Sequence, residues 1–160
     1  DIEAMTSEDC SFSVGVMNAG KWVNCVSSKA SAEVLSMSKR QEDLDDGIAR
    51  MLEHNDPDGE VITKVKLGLT RPVWTPSTAG LKLVELANDL ATQLGQPFRH
   101  ESSGGGSDGN FTGAMGVPTL DGLGVAGDKY HTLEEHIEID SLAMRSRMMA
   151  GLLMGIDQNF

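Results

Sequence analysis

Apolar and polar positions alternate early in the chain. Phe12, Val14 and Val16 are separated by small or polar residues, and Asn18-Ala19-Gly20 then supplies turn chemistry before Trp22 to Val26. A period of two marks a half-buried strand, and two such runs across a tight turn predict a hairpin. A further run of this kind, Ala30, Ala32 and Val34, precedes Leu44, Ile48, Met51 and Leu52, which fall on one face at helical spacing. The spacing predicts a helix that ends near Asn55-Asp56-Pro57. Val61, Thr63, Val65 and Leu67 alternate with Ile62, Lys64 and Lys66, so the first section reads β, β, α, β. One helix for about three strands is too few to close a two-layer α+β domain, and the section reads as part of a larger one.

Arg71-Pro72 and Thr75-Pro76 bracket a connector, because proline fixes φ and removes a donor. The expected boundary lies near residue 73, dividing 1–72 from 73–160. Beyond it, Thr75 is expected to cap a helix with Pro76 in its first turn. Leu81, Val84, Leu86, Leu90 and Leu94 line the apolar side of that helix, and Gly95 ends it. A short strand over Phe98 to Glu101 leads into a glycine-rich turn and a short helix over Asn110 to Met115. Val117 to Leu123 reads as a buried strand and Gly124 to His131 as a loop. Asp140 is expected to cap a last helix bearing Leu142, Met148, Met149, Leu152 and Leu153. Strands alternating with helices imply a parallel sheet. The expected fold class is α/β with an α+β insert.

Composition narrows the function classes. With 39% hydrophobic and 23% charged residues over 160 positions, the chain has the makings of an ordinary globular core rather than a disordered segment. No apolar run approaches the roughly 20 residues that span a bilayer. The polar start from Asp1 to Cys10 lacks the features of a signal peptide, so the expected location is cytoplasmic; because the chain opens with Asp1, a preceding targeting segment or domain is also left open. A formal net charge of −11 makes nucleic acid and anionic membranes poor partners. Cys10 and Cys25 are expected to be free thiols.

The run Ser102-Ser103-Gly104-Gly105-Gly106-Ser107-Asp108-Gly109 allows a ligand to approach backbone N–H groups and can form an anion nest, although no P-loop or dinucleotide spacing accompanies it. His131 closes a glycine-bearing loop after a buried strand, where open α/β sheets place binding residues, and imidazole is a common metal ligand. His54, His100 and His136 are weaker candidates. Glu134, Glu135 and Glu138 are expected only to complement a helix dipole. Arg71, between strand and connector, can hold a carboxylate with two parallel hydrogen bonds. Spacing alone names no enzyme.

Order and content together say more. Gly104-Gly105-Gly106-Ser107-Asp108-Gly109-Asn110-Phe111 is followed by Gly116-Val117-Pro118-Thr119-Leu120-Asp121-Gly122-Leu123-Gly124, then His131-Thr132, then Glu138-Ile139-Asp140-Ser141-Leu142. This string resembles the zinc-dependent exopeptidase family of glutamate carboxypeptidases, aminoacylases, acetylornithine deacetylases and succinyl-diaminopimelate desuccinylases. Upstream, Ser13-Val14-Gly15-Val16, Gly20, Asn24 and Ala30 to Val34 resemble the second part of that family's lid, or dimerisation, domain. The resemblance implies that residues 1–72 are the carboxyl-terminal part of a ferredoxin-like lid and 73–160 the carboxyl-terminal part of a parallel-sheet catalytic domain.

It further implies His131 as a zinc ligand, and Arg71, Asn24, Gly105 and Gly106 as substrate-binding residues. Two zinc ions would polarise the scissile carbonyl of a peptide or N-acyl amino acid, with a glutamate as general base, in an enzyme that dimerises through its lid. The family's His-x-Asp motif and Glu-Glu pair, which stand before the lid, have no counterpart in this sequence, and Glu134-Glu135 lie after His131 instead, so a fragment of such an enzyme would be inactive alone. Leu35-Ser36-Met37 stands where the family commonly has a pattern like Asp-Val-Arg, which removes one carboxylate contact. Two rivals stay open at this point: a non-catalytic dimerisation module, and a small anion-binding protein using Gly104 to Gly109.

Overall fold

The computed structural model describes residues 2–159. The chain divides after Val73. One compact unit comprises the chain up to Val73 with Gly104–Gly106, and the second comprises Trp74–Ser103 with the chain from Ser107 onward.

In the first unit β1 (Cys10–Ala19) pairs antiparallel with β2 (Ala30–Ser38), from Cys10↔Ser38 to Ala19↔Ala30, with a bulge between Val14 and Val16. The strand that β1 meets is therefore the Ala30 run. Trp22 to Val26, expected to be its partner, lies in the exposed connection between the two strands. Burial explains the choice. On this sheet Cys10 and Phe12 are buried beneath α1 (Gln41–Leu52), together with Leu44 of that helix. Gly47 lets the helix come this close, since a Cβ there would stand 2.6 Å from Cys10 Sγ and 3.3 Å from the Phe12 ring.

Arg40 opens α1 and its guanidinium donates to both carboxylate oxygens of Asp43, at 2.7 and 2.8 Å. That hydrogen bond holds the Asp43 carboxyl below the usual carboxylate range. Cys10 and Cys25 are free thiols, the first buried and the second exposed. The strand expected over Val61 to Leu67 forms only an isolated antiparallel bridge, Asp56↔Thr63. Val61, Ile62 and Leu67 are exposed, and among the described residues no strand ladder covers the apolar side of this segment.

The second unit is built on two helices. α2 (Thr78–Gln93) is capped by Ser77, whose Oγ accepts from Gly80 N at 3.1 Å; Thr75 lies outside the helix. It ends as expected at Gly95, which takes φ +65°, with Gly95 N donating to Thr92 O and Gln96 N to Ala91 O. α3 (Gly109–Ala114) follows the glycine-rich turn, and α4 (Ser141–Asn159) packs across α2. Ala87, Ala91, Met148 and Leu152 are buried between α2 and α4, with Leu86, Leu90, Phe98, Leu120 and Leu123 around them.

The segments over 98–101 and 117–123 run without ladder partners. Leu120 and Leu123 lie against the two helices instead, and with Val117, Met149 and Leu153 they help to line an open apolar groove of about 360 Å³. Among the described residues both sheets are two-stranded and antiparallel: β1 with β2, and β3 (Gly127–Asp128) with β4 (His136–Ile137). A parallel sheet requires neighbours for these extended segments, and the described residues provide none. No helix among them is long and apolar enough to cross a membrane.

Candidate functional site

Arg71 and Gly106 are brought together within the first unit. A Cβ on Gly106 would stand 3.1 Å from Arg71 Cδ, so the glycine leaves the space that the arginine stem occupies. Arg71 is exposed, and the chain beside it is held to α1 where Val73 N donates to Gln41 Oε1 at 2.9 Å. A cationic fork next to a side-chain-free loop suits a carboxylate that must reach both the guanidinium and the backbone. Gly105 adjoins this contact in the chain. Asn24 lies in the exposed β1–β2 connection, with its Oδ1 3.7 Å from Cys25 Sγ.

The glycine-rich turn is less open to an anion than its sequence implies. Ser107 N donates to Asn110 Oδ1 at 2.9 Å, Gly109 N to Ser107 Oγ at 2.9 Å, and Asn110 N to Ser107 O at 3.2 Å. These three N–H groups are thus satisfied by the turn's own oxygens, and an anion bound to them would have to displace those oxygens. A flat packing contact fixes the helix that follows. The indole of Trp74 lies directly against Gly113, so close that a Cβ on Gly113 would overlap the ring, and 3.5 Å from where a Cβ on Gly109 would stand. Only glycine permits that approach at Gly113, one turn along α3 from Gly109.

His131 belongs to the second unit, at the tip of a hairpin. β3 and β4 pair through Gly127↔Ile137 and Asp128↔His136, and residues 129–135 form the loop between them. The base of the hairpin is tied to the start of α4: the buried Ser141 hydroxyl accepts from Ala126 N at 3.0 Å and donates to Glu138 O at 2.6 Å. At the tip two non-glycine residues take left-handed backbone, Lys129 at φ +58° and His131 at φ +65°. Such residues cost about 1–3 kcal/mol each and persist where their surroundings over-determine them.

Glu134 and Glu135 are part of this loop rather than of a helix start, since α4 begins only at Ser141. The expected dipole role is therefore corrected. Lys129 Nζ pairs with the Glu134 carboxylate, and Glu135 Oε2 accepts from His131 N at 3.2 Å. His136 Nδ1 lies 2.9 Å from Glu134 O. Sequence spacing missed both the hairpin and these contacts. The available signal was Gly127, where a Cβ would strike the His136 carbonyl.

The His131 side chain is exposed, and among the described residues its ring nitrogens have no hydrogen-bond partner. No group of three or more His, Cys, Asp or Glu side chains that could hold a metal ion occurs among those residues. A tetrahedral zinc site takes about four ligands, and the described residues bring no three of these donors together.

Residues 5–155 match the profile of peptidase family M20/M25/M40. The chain belongs to that peptidase family. Carboxypeptidase G2 of a Pseudomonas species is 27% identical over 151 residues, covering 91% of this chain and 36% of the relative. The uncharacterised protein YqjE of Bacillus subtilis is 34% identical over 74 residues, 46% of this chain and 20% of its own length. Among solved structures, aminopeptidase PepT of Bacillus cereus superposes with a TM-score of 0.62 at 23% identity, and a tripeptidase of Staphylococcus aureus with a TM-score of 0.58 at 23% identity. Each superposition covers 91% of this chain and 39% of the other. The M20/M25/M40 chain thus has the mixed α/β fold of these peptidases and spans between a fifth and two fifths of their length.

Proposed function

We propose that this chain is the carboxyl-terminal portion of a zinc-dependent metallo-exopeptidase that hydrolyses an amide bond next to a carboxylate-bearing amino acid. Residues 1–72 serve as part of a ferredoxin-like lid and 73–160 as part of a parallel-sheet catalytic domain. Membership of the M20/M25/M40 peptidases supports the reaction class. The apolar groove and the unpaired segments over 98–101 and 117–123 support a catalytic domain that is completed by further strands.

The observation that carries the proposal is the Arg71–Gly106 approach, which sets the stem of Arg71 beside the side-chain-free backbone of the expected substrate pocket. Arg71 holds the substrate carboxylate, Asn24 adds a contact from the lid, and Gly105 and Gly106 let the substrate backbone pass close. His131 supplies one zinc ligand. Bound zinc contributes Lewis-acid polarisation of the scissile carbonyl. The chain's other donors leave the metal site incomplete, so it is inactive by itself. The internally satisfied turn at Ser107–Asn110 disfavours the rival anion-nest function. The exposed edges of the β1–β2 ribbon suit a homodimer formed through the lid.

Arg71→Ala in the full-length protein tests the substrate assignment. A charged hydrogen-bonding contact is worth about 1.5–3 kcal/mol, so KM for an N-acyl amino acid is expected to rise roughly tenfold to a hundredfold. The turnover number changes far less. Replacing the substrate carboxylate by a neutral amide is expected to produce the same loss in the unmodified enzyme. A carboxylate whose removal leaves KM unaltered would sink the assignment.

A further inference from the structure

The loop that presents His131 is held by identifiable contacts, and one of them acts on His131 itself. His131 occupies left-handed backbone at φ +65°, two residues after Lys129 at φ +58°. Lys129 is secured by its N–H donating to Asp128 Oδ1 at 2.7 Å, by its carbonyl accepting from Thr132 N and Oγ1 at 3.2 and 2.7 Å, and by its pairing with Glu134. Those bonds shape the hairpin tip. The His131 N–H has a different partner: it donates to Glu135 Oε2 at 3.2 Å, across the turn. Because side-chain direction follows backbone conformation, the φ of His131 sets where its imidazole can point. In the extended or helical regions that most residues prefer, the ring would leave the tip in another direction.

We propose that Glu135 is a positioning residue for the zinc ligand His131, fixing its left-handed backbone through the N–H so that the imidazole is presented before the metal arrives. This inference rests on the assignment of His131 as a ligand. Glu135 acts through a hydrogen bond to the ligand's main chain and does not itself coordinate the metal. Groups that orient metal ligands typically change metal affinity by about 10–100-fold when removed.

The test uses the full-length protein with three variants, Glu135→Ala, Glu135→Gln and His131→Ala, and zinc affinity measured by competition with a chromophoric chelator. Thermal unfolding of the zinc-free forms is followed in parallel. Glu135→Ala is expected to weaken zinc binding by roughly tenfold or more with an unchanged unfolding midpoint in the zinc-free form. Glu135→Gln retains an oxygen acceptor and is expected to restore most of the affinity. A purely structural role would lower the zinc-free midpoint and leave the affinity of the folded fraction alone, which would overturn the inference. Equal loss in Glu135→Ala and Glu135→Gln would also overturn it, by pointing to the carboxylate charge or to direct ligation. If His131→Ala weakens binding while Glu135→Ala binds as the unmodified protein does, the positioning role fails and the ligand assignment stands. Unchanged affinity in His131→Ala would remove the ligand assignment and this inference together.

Discussion

Replacing His131 with alanine in the full-length protein is expected to reduce zinc from about two ions per chain to about one and to lower peptidase activity by roughly three orders of magnitude, the equivalent of about 4 kcal/mol of Lewis-acid assistance. The expectation follows from position as well as residue type. His131 stands at the tip of the β3–β4 hairpin, its ring exposed and without a hydrogen-bond partner among the described residues, while neighbouring donors are committed to Lys129, to the His131 N–H and to the loop backbone. Truncation to alanine removes the ring and leaves the hairpin base, which is held through Ser141, intact. The fold should therefore survive, and the loss should fall on metal binding and catalysis. Zinc content and turnover measured on the same preparation check this. Unaltered zinc with lost activity would make His131 something other than a ligand.

The second large effect concerns Gly113. Its Cα faces the Trp74 indole so closely that any Cβ overlaps the ring, and the ring is rigid. Gly113→Ala must therefore shift the helix, the tryptophan or both, and overpacking of this kind costs about 1–3 kcal/mol or more. Higher helix propensity of alanine returns at most about 1 kcal/mol. The expected result is a lower urea midpoint with little change in slope. Shrinking the ring by Trp74→Leu in the Gly113→Ala background should recover part of the loss, because the two positions touch and their effects are coupled. Additive losses in the double variant would show that the indole is not what crowds residue 113. Because α3 directly follows the glycine-rich turn, a shift taken up by the helix moves the end of that turn and should reduce substrate affinity in the full-length enzyme.

Much of this architecture was legible in the residues. The apolar stripes of α2 and α4 have enough turns for helical spacing to stand out, and Gly95 ends α2 in the left-handed conformation that its residue type favours. The chain divides into compact units after Val73, and Pro72 and Pro76 stand on either side of that point. Strand pairing was harder to read, because alternation shows that a segment has two faces and not which other segment completes the ladder. Hence alternation alone offers Trp22 to Val26 as a partner for β1, whereas burial of Cys10 and Phe12 under α1 selects the Ala30 run. Val61 to Leu67 and Val117 to Leu123 alternate or cluster as strands do, yet a strand is stable only beside another, and these segments meet none among the described residues.

At the candidate site, residue type and order pointed to His131, Arg71, Gly105 and Gly106. What holds them was not visible. The left-handed backbone at Lys129 and His131 departs from the glycine rule that sequence reading relies on. Glu134 and Glu135 looked like a charged helix flank because three glutamates precede an apolar run, and only the late start of α4 frees them for the hairpin. Ser107 and Asn110 likewise fill a turn that glycine content alone marks as open.

Elemental analysis for zinc with intact mass, on the 160-residue chain and on the full-length protein side by side, most directly tests the proposal that this chain supplies only part of a zinc site. About two zinc ions are expected in the full-length protein and essentially none in the 160-residue chain. Stoichiometric zinc in that chain alone would contradict it, and would move the search for ligands to Glu134, Glu135, His136 and the cysteines.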